Sequence, residues 1–465
     1  MNPSPKTHAI SRNPATGEVL NAYPWASAAH INNVLARAHQ GYQHWRGVNI
    51  ERRMEKLYAI AHLLEAQQDI LAHCICREMG KPVQQARAEV QKCVQLCRWY
   101  AKFGPAMLEP QPTQVENQRA YVAFRPLGTI LAVMPWNFPL WQVMRGAVPI
   151  LLAGNGYLLK PAPSVMGCAE LIAAIMHQAG VPEGVFSIVN AEPKGVSQMI
   201  NDPRIAAVTV TGSVKAGAAI GAQASNALKK CVLELGGSDP FIVLNDANLD
   251  EAVQAAIAGR FQNTGQVCAA AKRFILEQGI ADRFTEQFVA AVRHLRVGNP
   301  EIEDNDIGPL AREDLRDELH HQVQSTLAQG ALLLTGGEKI TGNGFYYAPT
   351  VLGNVTATMT AFREELFGPV AALSVARDAE HALALANDSD FGLSATLFCA
   401  NEKLALSMAE RLECGGVFIN GYSASDPRVP FGGVKKSGFG RELSHFGLHE
   451  FCNIQTVWMD RGRRS

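Results

Sequence analysis

The sequence predicts an α/β protein with two successive parallel sheets. Its 465 residues are enough for two or three packed units rather than one small domain. From Gly128 onward, short apolar runs alternate with helical patterns, and a second series of the same kind begins at Phe241. Strands separated by helices imply right-handed crossovers and parallel pairing. Because such sheets bind ligands at the carboxyl ends of their strands, functional side chains are expected there.

The composition indicates a well-packed globular protein. Hydrophobic residues make up 47% of the chain and charged residues 18%, which excludes intrinsic disorder as its main state. The net charge of −1 lacks the basic excess expected of a nucleic-acid binder. Prolines interrupt the charge-free stretch Pro126–Met144, so a strand and a loop are favoured over a membrane span. Met1–Asn13 lacks the apolar core of a signal peptide, and we expect a cytoplasmic protein without nucleic-acid or membrane partners.

Ten cysteines are scattered without the pattern of a disulfide framework, which is typical of a reducing compartment. Cys74, Cys76, Cys93 and Cys97 are the group to test for a metal site. On a helix, Cys74 and Cys76 would point in different directions, and small buried side chains are favoured over zinc ligands. We therefore expect no metal.

The region before the first sheet is predicted to be mostly helical. Apolar residues at helical spacing indicate one long helix over Glu51–Glu78, ended by Gly80, and a second over Val83–Phe103. Three prolines then mark a break, and Arg119–Arg125 alternates like a strand.

The first series consists of five apolar strands with helices between them. Two of the helices cover Leu140–Ala153 and Ser164–Ala179. The strands are Thr129–Met134, Gly156–Lys160, Val185–Val189, Ala206–Thr211 and Cys231–Leu235.

The second series has five further strands and ends in a separate tail strand. The tail, Cys452–Met459, has exposed apolar character, and such an edge can pair with another chain. The strands are Phe241–Leu244, Arg273–Leu276, Ala371–Val375, Ala395–Cys399 and Val417–Ile419, with helices near Asp282–His294, Glu313–Ala328 and Glu380–Ala386.

Two strand ends could hold a phosphate. After Ala206–Thr211, Gly212 permits a tight turn, and Ser213 can cap the next helix or donate to a phosphate at its N-terminus. An ordinary turn between a strand and a helix has the same residues, so this signal is weak alone. Lys160, at the end of another strand, can reach a ribose or phosphate, or can simply be a solvated strand end.

Three further side chains could carry chemistry. Cys268 follows the flexible Gly265 and precedes small residues, so an accessible nucleophile and a buried structural cysteine are both open. Glu234 lies in an apolar run, where burial would raise its pKa and suit a general base, although it could also face solvent. Asn137, between Pro135 and Pro139, could donate to a developing oxyanion or satisfy its own loop.

These motifs together resemble the aldehyde dehydrogenase superfamily along nearly the whole chain. Each is modest alone, but seven in the family's order, with 34 residues from Glu234 to Cys268, make coincidence negligible. They are PWNFP (Pro135–Pro139), KPA (Lys160–Ala162), TGS (Thr211–Ser213), ELGG (Glu234–Gly237), GQVC (Gly265–Cys268), EELFGPV (Glu364–Val370) and PFGGVKKSGFGRE (Pro430–Glu442).

The resemblance implies three parts. A Rossmann-like domain that binds NAD or NADP would comprise residues 1–109 and 128–233, and an α/β catalytic domain residues 234–442. A small β oligomerisation element and tail would comprise residues 110–127 and 443–465. A homodimer or homotetramer is therefore expected.

The resemblance also implies a mechanism. Cys268 would attack the aldehyde carbon to form a thiohemiacetal, and Asn137 and the Cys268 N–H would form the oxyanion hole. Hydride transfer to the nicotinamide would leave a thioester, and Glu234 would activate the water that hydrolyses it. The covalent intermediate divides one hard oxidation into two steps.

The cofactor contacts carry over by position. Many relatives that prefer NAD have Glu where this chain has Pro163. Without that Glu a 2′-phosphate is not repelled, and Lys160 and Ser164 could contact it, so we expect both NAD and NADP to be used. The implied contacts are Trp136, Asn137, Lys160, Pro161, Ala162, Pro163, Gly212, Ser213, Leu235, Glu365 and Phe367.

The substrate is expected to be a short aldehyde that bears a carboxylate, with succinate semialdehyde first. Relatives that oxidise semialdehydes hold the carboxylate with an Arg at the position of Arg145, and Ser425 and Arg428 could add contacts. A second Arg of some relatives is Gln262 here, and Arg145 could instead be a plain surface residue.

Three alternatives remain open. A dehydrogenase that transfers the acyl group to CoA usually lacks the Glu that this chain has as Glu234. A dehydrogenase of other aliphatic or aromatic aldehydes would need an apolar entrance without a carboxylate clamp. A non-catalytic structural protein on the same fold is not excluded by fold alone, although the intact set of Cys268, Glu234 and Asn137 argues against it.

Overall fold

The computed structural model describes residues 4–113, 115 and 119–460. They form an α/β protein, as predicted. The strands are β1 His8–Arg12, β2 Val19–Pro24, β3 Gln111–Thr113, β4 Arg119–Pro126, β5 Thr129–Val133, β6 Gly156–Lys160, β7 Phe186–Ile188, β8 Ile205–Thr211, β9 Lys230–Glu234, β10 Asp239–Val243, β11 Ala271–Glu277, β12 Leu332–Thr335, β13 Thr350–Gly353, β14 Val370–Ala376, β15 Phe391–Gly392, β16 Ser394–Phe398, β17 Gly416–Ile419, β18 Val434–Lys435, β19 Gly438–Phe439 and β20 Cys452–Met459. The helices are α1 Ala28–Trp45, α2 Ile50–Ala66, α3 Gln68–Met79, α4 Val83–Met107, α5 Trp141–Leu152, α6 Met166–Gln178, α7 Pro193–Asn201, α8 Val214–Asn226, α9 Leu249–Phe261, α10 Gln278–Arg293, α11 Glu313–Ala328, α12 Thr360–Arg363, α13 Ala379–Asn387, α14 Glu402–Ala409 and α15 Ser444–Glu450.

The first large sheet has six strands in the order β19-β9-β8-β5-β6-β7. All neighbours are parallel except β19, which pairs antiparallel with β9. Four of the five residues of β5 are buried, because helices cover both faces of the sheet. The parallel register brings the carboxyl ends of β5, β8 and β9 to one edge, and Thr211 lies opposite Glu234 there.

The helix α5 follows β5 and is buried along its whole length, from Trp141 to Leu152. It packs against α2, α4, β6 and α15. Such all-round burial is typical of a helix at the centre of a domain core rather than at its surface.

The second large sheet has seven strands in the order β12-β13-β14-β11-β10-β16-β17. Six neighbouring strands of this sheet are parallel, namely β13, β14, β11, β10, β16 and β17. The edge strand β12 pairs antiparallel with β13. The thiol-bearing segment, residues 261–270, enters this sheet immediately before β11.

A third, antiparallel sheet joins the tail to the segment before β5. Its order is β20-β4-β3, and β20 pairs with β4 from Cys452 opposite Pro126 to Met459 opposite Arg119. On β20, Ile454 and Trp458 are 62% and 53% exposed. Residues 461–465 of the predicted tail lie outside the described residues.

The helices before the first sheet differ from the prediction at two points. The single helix expected over Glu51–Glu78 is two helices, because Gln67 leaves helical geometry with φ −106° and ψ 19°. The break expected at Pro105 falls two residues later, since Pro105 lies in the last turn of α4. Pro105 cannot donate the hydrogen bond to the carbonyl of Ala101, and α4 ends two residues beyond it.

The domain boundaries stay predictions. Strand β19 belongs to the span that was assigned to the catalytic domain, but it pairs with β9 of the first sheet. Among the helices of the described residues, none combines the length and apolar character needed to span a bilayer.

Candidate active site

A cavity of about 740 Å³ lies where the carboxyl edge of the first sheet meets the second sheet. Loops after β5, β8 and β9 form one wall, and α11 together with the segment before β14 forms the other. The lining residues are Pro135, Trp136, Asn137, Gln142, Thr211, Gly212, Ser213, Val214, Leu235, Gly236, Cys268, Arg312, Leu315, Glu318, Leu319, Gln322, Arg363, Glu364, Glu365, Phe367, Asp390, Phe391 and Lys436.

Half of the sixteen site residues expected from the sequence line this cavity. They are Trp136, Asn137, Gly212, Ser213, Leu235, Cys268, Glu365 and Phe367. Lys160, Pro161, Ala162 and Pro163 are not among the described residues that line it. Ser164 lines a smaller cavity of about 250 Å³, and Arg312 lines both cavities, so the two are adjacent. Burial lowers the pKa of Lys160 to about 8.

The turn after β8 is open toward the cavity. Ser213 is the N-cap of α8, and its side chain accepts a hydrogen bond from the N–H of Ala216 at 3.3 Å. Gly212 does not adopt a positive φ, so the turn does not need glycine for its conformation. A Cβ at Gly212 would meet no atom within 4 Å. The glycine therefore leaves free space beside the N–H groups at the start of α8, which suits an anionic ligand.

The thiol loop has an unusual backbone. Asn263, Thr264 and Gly265 have successive φ values of 55°, 56° and 71°. The left-handed conformation costs roughly 1–2 kcal/mol for each residue with a Cβ, so tertiary contacts must stabilise it. At Gly265 a Cβ would lie 2.3 Å from the carbonyl oxygen of Gly368. This position therefore requires glycine for both conformation and space.

Arg260 supplies part of that stabilisation. Its side chain is completely buried, and Nη2 donates to the carbonyl oxygens of Gly265 at 3.0 Å and Leu366 at 3.2 Å, and also to that of Gly368. Burial lowers the pKa of Arg260 to about 9, and Glu365 opposes the shift. The residue thus joins the thiol loop to the segment that carries Glu365.

Asn137 is held against the thiol loop. Its Nδ2 donates to the carbonyl oxygen of Gln266 at 3.0 Å, and its own carbonyl oxygen accepts from Asn263 Nδ2 at 2.8 Å. The side-chain amide of Asn137 therefore bonds to the thiol loop and not to the backbone of its own loop, which was the alternative interpretation. Since an amide nitrogen carries two hydrogens, one N–H remains available for another acceptor, and Asn137 and Cys268 both line the cavity.

The thiol of Cys268 is half-buried on the cavity wall. Burial raises its pKa to about 11, and the positive charges of Arg145 and Lys272 limit the rise. Lys272 Nζ donates to the Cys268 carbonyl oxygen at 2.5 Å and lies 3.3 Å from Glu365 Oε1. The Glu365 carboxylate in turn accepts from the N–H of Gly237 at 3.0 Å. Lys272 therefore connects the thiol loop to the predicted ribose-binding carboxylate.

Glu234 is buried at the end of β9 and does not face solvent. Burial raises its pKa well above the usual range, repulsion from Glu442 adds to the rise, and Arg145 and Arg441 oppose it. Neither carboxylate oxygen has a hydrogen-bond partner within the described part of the chain. The raised pKa favours the protonated form, which must lose its proton before it can act as a base.

Arg145 is buried behind the cavity and is not a surface residue. Its Nε forms an ion pair with Glu442, and the guanidinium carbon lies 4.7 Å from the centre of the Phe431 ring. Burial lowers its pKa, but the interactions with Glu442 and with the ionised forms of Glu234 and Cys268 outweigh that effect and raise it. The same cation therefore interacts with the predicted base and with the predicted nucleophile.

The two other predicted substrate contacts lie differently. Ser425 is half-buried and accepts a hydrogen bond from Lys92 Nζ at 2.8 Å. Arg428 is 74% exposed and donates from Nε and Nη2 to Asp426 at 2.8 and 2.9 Å. The structure therefore does not bring Arg428 into the site, because its guanidinium is satisfied at the surface.

Sequence reasoning missed several residues of the site, namely Arg260, Lys272, Glu442, Asn263 and Lys92. Glu442 was quoted only as the end of a motif. Lys92 had no clear local signal, because its helical face also carries the polar residues Gln85 and Glu89. The partners of the others lie far away in the sequence, as with Arg260 and Gly368, which are 108 residues apart.

One group of described side chains has the composition of a metal site. Cys74, Glu78 and Cys168 have ligand atoms within 4.8 Å of one another. The Glu78 carboxylate already accepts from the N–H groups of Gly167 and Cys168 at 3.0 and 2.9 Å, and from Ser11 Oγ at 2.8 Å. Its contacts are those of a carboxylate that caps the start of α6.

Known proteins have the same sequence and fold features. Residues 2–457 match the profile of the Aldehyde dehydrogenase family. The chain is 70% identical over 461 residues to "Succinate semialdehyde dehydrogenase [NAD(P)+] Sad" of Escherichia coli K12, which covers 99% of this chain and 100% of that protein. It is 44% identical over 450 residues to "Succinate-semialdehyde dehydrogenase [NADP(+)] 1" of Mycobacterium tuberculosis H37Rv, over 96% of this chain and 98% of the relative. The solved structure of succinic semialdehyde dehydrogenase from Streptococcus pyogenes with NADP+ superposes with a TM-score of 0.95 at 34% identity, over 97% of this chain and 99% of the other.

Proposed function

The chain belongs to the aldehyde dehydrogenase family, and we propose that it oxidises succinate semialdehyde to succinate with NAD+ or NADP+ as the hydride acceptor. The observation that carries the proposal is one shared cavity. The thiol of Cys268, the amide of Asn137 and the open turn at Gly212 all face it. The relatives named for this activity cover nearly the full chain, which supports the choice of substrate.

The cavity suits a dinucleotide. The free space at Gly212 and the start of α8 would take a pyrophosphate, and Glu365 and Phe367 would take the ribose and the ring at the other end. Leu235 and Trp136 add apolar surface beside the thiol. When bound, the nicotinamide accepts a hydride from the substrate carbon.

The residues of the chain would divide the reaction as follows. The Cys268 thiol first loses its proton to water, and the thiolate sulfur then adds to the aldehyde carbon. The free N–H of Asn137 and the backbone N–H of Cys268 stabilise the resulting oxyanion. Loss of hydride leaves a thioester on Cys268. Glu234, once deprotonated, takes a proton from the water that attacks the thioester, and the thiol is released.

We also propose that the chain acts in the cytoplasm as a homodimer or homotetramer. All ten cysteines are free thiols in the described chain, which suits a reducing compartment. The exposed apolar side chains of β20, Ile454 and Trp458, offer an edge for a second copy.

A cofactor-reduction assay tests the proposed activity. We expect the highest kcat/KM for succinate semialdehyde, a lower value for glutarate semialdehyde and the lowest for butanal, with both NAD+ and NADP+ reduced. The Cys268→Ala variant is the control for background reduction. Equal kcat/KM for succinate semialdehyde and butanal would contradict the proposed substrate, and no reduction with any aldehyde would contradict the activity.

A further inference from the structure

One face of α4 contacts the thiol loop and the start of α5. Gln85 Oε1 accepts from the N–H of Asn263 in the thiol loop at 2.6 Å. One turn later, Glu89 Oε1 accepts from the N–H groups of Leu140 and Trp141 at 2.9 Å each, at the start of α5. Lys92 follows three residues after Glu89 and so lies on the same face of the helix.

Lys92 points from this face toward the segment that carries Ser425. Its Nζ donates to Ser425 Oγ at 2.8 Å and lies 4.2 Å from the centre of the Trp141 ring. The charged groups that act on it are Arg145 on α5, Asp426 beside Ser425, and Glu89 and Cys93 on its own helix. Burial lowers its pKa to about 8, and the positive charge of Arg145 contributes to the shift.

The acids near this lysine are already engaged elsewhere. Asp426 accepts two hydrogen bonds from Arg428, and Glu89 pairs with Lys81 and with the start of α5. Arg145 Nη2 is buried and has no hydrogen-bond partner among the described residues. Two cations thus lie close enough to repel one another, and an anion between them would relieve that repulsion and supply the missing hydrogen bond.

We propose that Lys92 is the second cation of a carboxylate-binding subsite, in which the substrate carboxylate contacts Lys92 and Arg145 with Ser425 alongside. The inference rests on the proposed function and adds a residue to it. It also explains how the carboxylate could be bound by two cations although the exposed Gln262 occupies the position of a second arginine in some relatives. In this chain the second positive charge comes from α4 instead of from the thiol loop.

Steady-state kinetics of Lys92→Met, Lys92→Arg and Lys102→Met test this subsite. Lys102 is an exposed lysine of the same helix and serves as the matched control. Since a hydrogen bond to a charged group contributes about 1.5–3 kcal/mol, we expect Lys92→Met to lower kcat/KM for succinate semialdehyde roughly 10- to 100-fold, mainly through KM. With butanal it should stay within about twofold of wild type, because butanal has no carboxylate.

The other variants separate charge from packing. Lys92→Arg should recover most of the lost kcat/KM, because it keeps the cation, and Lys102→Met should equal wild type. If Lys92→Met lowers kcat/KM by the same factor with both aldehydes, or leaves kcat/KM unchanged with both, the proposed subsite is wrong. The wild-type preference for succinate semialdehyde over butanal is measured first, so that failure of the proposed substrate is distinguished from failure of the role of Lys92.

A measurement on the unaltered protein keeps the inference testable if Lys92→Met does not fold. The ratio of kcat/KM for succinate semialdehyde to that for butanal cancels the ionisation of Cys268, which both substrates share. As pH rises past about 8, Lys92 loses its charge, and we expect the ratio to fall. A ratio that stays constant from pH 6.5 to 9.5 overturns the inference.

Discussion

The buried guanidinium of Arg260 donates a hydrogen bond to the backbone carbonyl of Gly368. The same nitrogen donates to Gly265 and Leu366, so one side chain joins the thiol loop to the segment that carries Glu365. Cys268 and Glu365 come from distant parts of the chain. Their relative position depends on this contact and on the ion pair between Lys272 and Glu365.

Replacing Arg260 should therefore destabilise the protein. Arg260→Met leaves four buried carbonyl groups with one donor fewer, and we expect the free energy of unfolding to fall by about 3 kcal/mol. Urea unfolding followed by fluorescence measures this. Arg283→Met, at an exposed arginine of α10, is the control. Equal stability of the two variants would show that the buried contacts contribute nothing.

Asn137 should matter for the chemical step more than for folding. Its remaining N–H is available to an oxyanion, and loss of one oxyanion donor costs about 100- to 1,000-fold in kcat. We expect that loss in Asn137→Ala, measured as the first-turnover rate of cofactor reduction, with a melting temperature within a few degrees of wild type. A loss below tenfold would contradict the oxyanion role.

The thiol of Cys268 should react slowly at neutral pH in the protein without cofactor. Its pKa is raised to about 11 by burial, so only a small fraction is thiolate at pH 7. We expect alkylation of Cys268 by iodoacetamide, followed by peptide mass spectrometry, to accelerate about tenfold per pH unit up to that pKa. A rate that reaches its plateau below pH 8 would show that the thiol is activated in the resting protein.

Glu234 should act after hydride transfer. In Glu234→Gln the first turnover should produce reduced cofactor at nearly the wild-type rate, because Cys268 and Asn137 are unchanged, and steady-state turnover should then be slow. Stopped-flow absorbance separates the two phases. If the folded variant shows no burst, the residue is needed earlier than hydrolysis.

The same substitution should change how stability depends on pH. The pKa of Glu234 is raised in the folded state, so its proton contributes stability that is complete below the unfolded pKa and is lost as pH rises toward the folded pKa. Glu234→Gln removes this titration. We expect the stability of Glu234→Gln relative to wild type to be greater at pH 8 than at pH 5. Parallel pH profiles of urea unfolding for the two proteins would contradict the buried, protonated state.

Ten strands of the two large sheets were predictable to within one or two residues, because parallel strands buried on both faces appear as continuous apolar runs, whereas β12 and β13 were not predicted. Thr129–Val133 and Gly156–Lys160 are examples. The helix α1 was missed although its signals are present, since Ser27 caps it and Ile31, Leu35 and Tyr42 share its buried face. The two-residue strand β19 has no local signal at all, because only its partner β9 defines it.

The residues of the candidate site were also predictable only where a local sequence pattern marks them. Motifs located the thiol, the amide and the phosphate turn, since each has a local pattern. The burial of Glu234 was undecided, because alternation along β9 permits either face, and the pairing of Gly438 with Glu234 covers that strand edge. Arg145 was identified by position, but its ion pair with Glu442 joins residues from opposite ends of the chain and has no local pattern.

The complete burial of α5 has a consequence for how the chain reaches its native state. No side of this helix can remain in water, yet one of the elements that cover it, α15, is made about 300 residues later. During synthesis, or on dilution from denaturant, the strongly apolar helix α5 stays partly uncovered until α15 is in place. Exposed apolar segments of this kind associate between molecules. Recovery of the native enzyme should therefore decline with increasing protein concentration, and a holdase chaperone should restore it.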